Sequence, residues 1–129
     1  MAETQKITAS VAESGVLCVD SNGNRVMAGG GGPRATDLLL MAVAGCSGAV
    51  LKVVLAQEGF TPATIEISIE GVRADHPRRF SAINAHYDVI CTGLTEDKLK
   101  ECLEKTEKAC PVIQSLSVEM KYTFTLNKG

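Results

Sequence analysis

Residues 38–56, LLLMAVAGCSGAVLKVVLA, form an almost unbroken apolar run whose one charge is Lys52. Thr36 and Asp37 supply a helix start before it and Gly59 a stop after it. A helix apolar on nearly all sides has to be covered on nearly all sides. Its length would also suit a bilayer span. Against that, Lys52 at mid-bilayer would cost about 2.5–3.5 kcal/mol. The strands flanking the run, moreover, each show one apolar and one polar face, the pattern of a sheet wetted on one side. We therefore expect a core helix and no membrane partner. Five or six short strands from one small chain give such a helix too little cover, so a second copy of the chain is expected to supply the rest, as a homodimer.

The remaining segments read by period and punctuation. KITASVA and GVLCVD are strands separated by ESG, and SNGN then carries the Asn-Gly pair favoured in two-residue hairpins, with a third strand over Arg25–Ala28. The four glycines at 29–32 read either as a mobile linker or as a loop that closes over a site. They are not a phosphate loop, because no Lys-Ser or Lys-Thr follows.

TIEISIEGV alternates, with Ile65, Ile67 and Ile69 on one face. After ADHPRR, residues 80–91 continue with Ile83, Ala85, Tyr87, Val89 and Cys91 in step. Thr95 caps a second helix with Leu99, Cys102, Leu103, Thr106 and Cys110 on one face, and Pro111 ends it. A last strand shows Val118, Met120, Tyr122, Phe124 and Leu126 at period two. The order βββ-α-ββ-α-β lacks regular strand–helix alternation, so the expected class is α+β with antiparallel sheets around a long buried helix.

Composition narrows the function. At 129 residues the chain fits one domain, residues 1–129. A net charge of −2 gives no basic face for nucleic acid. The N-terminus MAETQKITAS has no apolar signal region. Five cysteines, an odd number with no CxxC pair, fit a reducing, cytoplasmic setting better than a disulfide scaffold. His76 and His86 are scattered and no residues have metal-ligand spacing, so neither metal nor bound cofactor is expected. Arg78 and Arg79, in a turn with His76, read as solvated or as lining the mouth of a site.

Cys46 sits at the centre of the apolar helix among Ala42, Ala44, Gly45, Ser47, Gly48 and Ala49. Such a thiol is inert packing unless a cation or donor favours its thiolate. Arg25 and Arg34 flank the glycine run and are the candidate cations. Cys110, at the proline bend of KACPVIQSL, is a second thiol that could be presented to it. A disulfide between the two needs Cα atoms within about 7 Å. Cys18, Cys91 and Cys102 read as packing.

PRATDLLLMAVAGCSGAVLKVVLAQEG followed by KACPVIQSL resembles the OsmC/Ohr family of osmotically inducible and organic hydroperoxide resistance proteins. The likeness covers roughly residues 29–126 and lies closer to the family's less characterised branch. It implies a single OsmC-like domain in an intertwined homodimer and a thiol peroxidase that reduces small organic hydroperoxides to alcohols. In that reading Cys46 becomes a sulfenic acid, Cys110 resolves it as a disulfide, and an external dithiol, on a lipoylated or thioredoxin-like protein, reduces the pair. Arg25 matches the family's thiolate-holding arginine by position, with Arg34 in reserve. Where family members carry a glutamate this chain has Thr36, and an acid follows at Asp37, which either orients an arginine or stabilises the helix start. A different outcome of the same fold is a non-catalytic dimer that binds an apolar small molecule or senses redox state.

Overall fold

A computed structural model describes residues 3–128. The chain forms two compact units, one running to Leu39 and the other from Leu40 onward.

The first unit is an antiparallel meander of β1 (Thr8–Ala12), β2 (Gly15–Val19) and β3 (Arg25–Ala28). Val11 faces Val16, and Cys18 faces Val26. The Asn-Gly pair does not make a two-residue turn. Residues 20–24 form a wider loop instead, gathered around the Asp20 carboxylate. It accepts from the backbone N–H groups of Asn22 at 2.9 Å and Asn24 at 2.8 Å, and from the Asn24 side chain at 2.8 Å. An aspartate that bonds forward to its own loop competes with the tighter turn.

The glycine run forms a hydrogen-bonded turn. Gly29 donates to the Pro33 carbonyl at 2.9 Å and Gly32 to that of Gly29 at 3.0 Å. Gly30 has φ 55° and lies so close to Ser14 that an added Cβ would run into the Ser14 carbonyl.

Helix α1 (Ala35–Gln57) opens in the first unit and runs through the second. It stops at Gly59, whose φ is 88°. The end is a Schellman arrangement. Phe60 N–H reaches the Leu55 carbonyl at 2.8 Å and Gly59 N–H that of Ala56 at 3.0 Å. Then come β4 (Thr64–Ala74), β5 (Arg79–Ile90), α2 (Glu96–Ala109), the short α3 (Pro111–Gln114) and β6 (Glu119–Leu126). Thr95 caps α2 by accepting from Lys98 N–H at 3.1 Å.

The second sheet has the order β4-β5-β6. The α+β class and the element order are as expected, with α3 added. The antiparallel expectation holds for β4 and β5, but β6 lies parallel to β5. The reason is the connection: α2 and α3 carry the chain back along the sheet, the long crossover that parallel neighbours require. Asn127 then fastens the two strand ends, accepting from Cys91 N–H at 2.8 Å and donating to the Cys91 carbonyl at 3.1 Å.

One face of this sheet is the core. Leu51 and Leu55 of α1, Tyr87 and Val89 of β5, and Leu99 and Cys102 of α2 share the larger cluster of buried side chains. The other face is polar and cross-linked between strands, as in the bonds from His86 to Thr123 at 2.6 Å and from Thr125 to Asp88 at 2.6 Å. Helix α1 is long and apolar enough to cross a membrane. It buries a single stripe, Val43, Ser47, Leu51, Val54 and Leu55, and leaves Met41 and Val53 more than half exposed.

Candidate functional site

A second, smaller cluster of apolar side chains gathers at the other end of the sheet's inner face, around Val43, Ile83, Cys110 and Ile113. Cys46 packs against it, half-buried, from α1. Leu40, Val43 and Val50 lie three or four residues from Cys46 or from each other, so one flank of the helix carries them all toward the same cluster.

Cys110 reaches this place through the bend between two helices. Its N–H closes α2 on the Thr106 carbonyl at 2.9 Å, and its own carbonyl receives Gln114 of α3 at 3.0 Å. The residue itself is extended, with φ −77° and ψ 112°. A position before a proline favours that conformation. Pro111 ends α2 as expected, but it also starts α3. A proline with no N–H to place suits the first helical position. The turn buries Cys110 completely.

The structure therefore brings Cys46 and Cys110 together. Burial, and after it the adjacent Cys46 thiol, push the Cys110 thiol above its ordinary value. The pair sits among the apolar side chains of Phe80, Val112, Val118 and Met120. The arrangement is suited to disulfide formation between these two sulfurs once an oxidant has converted one of them to a sulfenic acid.

The neighbour of Cys46 on the buried stripe, Ser47, is fully enclosed and bonds back to the Ala44 carbonyl at 3.4 Å. Its hydroxyl also meets Tyr87, whose phenol burial pushes up and Ser47 partly restores.

Arg25, Arg34, Thr36 and Asp37 all belong to the first unit. Arg25 stands on β3 opposite Val19 and is exposed. Arg34 is the arginine that holds the acid: its Nε lies 3.1 Å from Asp37 Oδ2 and its Nη2 3.4 Å from Oδ1. The guanidinium holds the Asp37 carboxyl below the usual carboxylate range. Thr36 lies half-buried in the first turn of α1.

The other thiols stay apart from the pair. Cys18 is half-buried on β2, while Cys91 and Cys102 are buried in the larger cluster, where burial raises both thiols. Among the described residues no three His, Cys, Asp or Glu side chains gather as a metal site.

Sequence reasoning missed α3 and one cation, Arg73. Arg73 falls in phase with Ile65, Ile67 and Ile69 by count, but it follows the register shift at Val72 and is exposed. Its guanidinium sits 5.6 Å from the centre of the Phe80 ring.

Residues 28–125 match the OsmC family, described as OsmC-like protein. Peroxiredoxin OsmC of Escherichia coli (strain K12) is 29% identical over 119 residues, covering 88% of this chain and 82% of that protein. The crystal structure of an OsmC-like protein from Mycoplasma pneumoniae superposes with a TM-score of 0.89 at 20% identity, over 99% of this chain and 100% of that one. Organic hydroperoxide resistance protein OhrB of Bacillus subtilis gives 0.68 at 18% identity, over 95% and 98%. At these identities the two solved structures speak for the fold.

Proposed function

The chain belongs to the OsmC-like protein family, and we propose that it is a cysteine-based peroxidase that reduces organic hydroperoxides to alcohols. The observation that carries this reading is the meeting of Cys46 and Cys110 in an apolar enclosure. The names of its relatives, a peroxiredoxin and an organic hydroperoxide resistance protein, support it.

The Cys46 thiolate attacks the terminal peroxide oxygen. The O–O bond breaks, Cys46 becomes a sulfenic acid, and the departing alkoxide takes a proton to leave as the alcohol. The Cys110 sulfur then attacks the sulfenic sulfur. Its proton goes to the departing hydroxide, and a disulfide and water result. An external dithiol, on a lipoylated or thioredoxin-like protein, returns the disulfide to two thiols. No bound cofactor enters the cycle. Arg25, the match by position to the family's thiolate-holding arginine, is the proposed cation, with Arg34 in reserve. The Arg34–Asp37 pair takes the place of the glutamate–arginine pair which Thr36 interrupts. The apolar side chains around Cys46 favour an alkyl hydroperoxide over hydrogen peroxide.

We place the protein in the cytoplasm as a homodimer, without membrane or nucleic-acid partners. The exposed stripe of α1, with Met41 and Val53 flanking Gly45 and Ala49, is the face the second copy covers. A non-catalytic dimer that holds an apolar molecule or senses redox state is the second reading, favoured by Thr36 and by the complete burial of Cys110.

Intact-mass and free-thiol analysis after one equivalent of cumene hydroperoxide separates the two readings. Prompt loss of two of the five thiols, a trapped sulfenic acid in Cys110→Ser and inertness of Cys46→Ser are the outcome expected of the peroxidase. A wild type that keeps all its thiols for many minutes belongs to the second reading.

A further inference from the structure

The hairpin of β4 and β5 outruns the third strand of its sheet. β6 pairs with β5 only from Ala82 onward, where Glu119 faces it. Beyond that point Arg73 still pairs with Phe80 and Ala74 with Arg79, so residues 73–80 project as a two-stranded arm. A bulge marks its base: Val72 faces Ala82, but Arg73 faces Phe80, and Ser81 is the extra residue. The Ser81 hydroxyl donates to the Val72 carbonyl at 3.3 Å. Ile83, Ala85, Tyr87 and Val89, at odd positions of β5, are the buried ones, and the bulge brings Phe80 in with them. The ring covers Gly71, where a Cβ would come within 2.5 Å of it, and packs with the cluster that holds Cys46 and Cys110.

The arm is basic in a chain that is not. Arg73, Arg78 and Arg79, three of the chain's five arginines, stand on it against one acid, Asp75, while the whole chain carries −2. All four side chains belong to exposed residues. The acids near the arm's base are engaged elsewhere: Glu70 accepts from Asn84 at 3.2 Å, and Glu119 lies 3.5 Å from Lys121. Among the described residues none of the three guanidiniums has an ion-pair partner. Arg73 is seated on Phe80, 5.6 Å from the centre of the ring. Unpaired charge of one sign on a projecting element steers a surface of the opposite sign toward it. Three arginines in a chain of net negative charge fit a limited acidic patch on a protein rather than the long polyanion of a nucleic acid.

We propose that residues 73–80 form a docking arm for an acidic protein that carries a reducing dithiol to the Cys46–Cys110 disulfide. The inference rests on the reading of these two thiols as the redox pair and adds to it where the reductant lands and what charge it bears. Phe80 ties the arm to the pair, because the ring that seats Arg73 also packs in the thiol cluster. Cys46 is half-buried and Cys110 fully buried, so the incoming thiolate attacks the Cys46 sulfur. A mixed disulfide forms, and Cys110 leaves as a thiolate that takes up a proton. The partner's second thiol gives up its proton and attacks its own first sulfur, which closes the partner's disulfide and releases Cys46. Two electrons and two protons pass from partner to pair.

The test starts from protein oxidised with diamide, so it does not depend on any peroxide. Thiol release is followed with three reductants: an acidic thioredoxin, an acidic lipoyl domain and uncharged dithiothreitol. With at least one of the two proteins, the rate constant at low salt should fall about tenfold in Arg78→Glu/Arg79→Glu. Arg73→Gln, which leaves the turn untouched, should show a smaller loss, and Arg78→Lys/Arg79→Lys should keep the wild-type rate. The wild-type rate should also fall as salt is raised. Dithiothreitol should reduce every form alike. Rates indifferent to all these variants with both proteins, or reduction by neither protein, overturns the proposal. So does a short DNA duplex that binds the wild type and not the glutamate variant while both protein dithiols ignore the arm, an outcome that would make nucleic acid its partner. Arm-dependent reduction in a protein whose thiols ignore cumene hydroperoxide would sink the peroxidase reading and leave the docking arm standing. Prompt oxidation by the peroxide with arm-independent reduction would do the opposite.

Discussion

Cys110 meets Cys46 at the one residue that both closes α2 and opens α3. Pro111 holds that bend, so Pro111→Ala frees the chain beside the sulfur. We expect a loss of about 0.4–1 kcal/mol in unfolding free energy, because the unfolded chain gains freedom, and slower closure of the Cys46–Cys110 disulfide. A quenched time course of thiol trapping after one equivalent of peroxide reads the second effect. Unchanged closure would mean that the bend does not set the geometry of the pair.

The exposed stripe of α1 makes a prediction about assembly. Met41→Glu and Val53→Glu each place a carboxylate on the face assigned to the second copy. Sedimentation should find the wild type dimeric and both variants shifted to monomer, with lower thermal midpoints. A wild type that remains monomeric at high concentration removes the proposed dimer.

Alkaline pH should destabilise the fold. Burial raises the thiols of Cys91, Cys102 and Cys110 and the phenol of Tyr87. Below the ordinary thiol range, near about 8.5, folded and unfolded chains are equally protonated at these groups, and this contribution is fully present. As pH climbs past that range the unfolded chain sheds protons that the folded chain retains, so stability falls. Urea midpoints should drop from neutral to strongly alkaline buffer, and less steeply in Cys102→Ala. A flat profile would contradict the burial of these groups.

Gly30 and Gly31 should tolerate alanine unequally. Both have positive φ, 55° and 99°. That alone costs a substituted residue about 1–2 kcal/mol. Only at Gly30 does a Cβ also strike the Ser14 carbonyl. Hydrogen exchange of the β1–β3 amides should therefore quicken more in Gly30→Ala than in Gly31→Ala. Equal effects would mean that the turn gives way at Ser14.

Much of this structure was legible in the residues, and what was not has physical causes. Alternation located the strands, and Thr95 located the start of α2, because side-chain period and cap chemistry are local. The direction of β6 was not, since Met120, Tyr122, Phe124 and Leu126 alternate in the same way beside a parallel or an antiparallel neighbour. Helix α3 is too short to show a period. The loop at 20–24 turned on one aspartate outcompeting an Asn-Gly pair. At the site, Cys46 and Cys110 stood out by their settings, but their meeting depends on a crossover that no spacing encodes. Arg73 was in phase by count, whereas its exposure and the orientation of Phe80 depended on the register shift and its extra residue, Ser81. Arg34, not Arg25, proved to be the partner of Asp37, a choice that the two arginines' positions left open.

The parallel placement of β6 also orders events while the chain is being made. Cys46 leaves the ribosome long before Cys110, and Val118 and Met120, which wall the pair just before and at the start of β6, come later still. Until β6 slots in beside β5, the crossover that carries Cys110 is held through α2, whose Leu99 and Cys102 pack with Leu51 and Val89. The enclosure around Cys46 and Cys110 is thus closed only once the chain has been made through Met120.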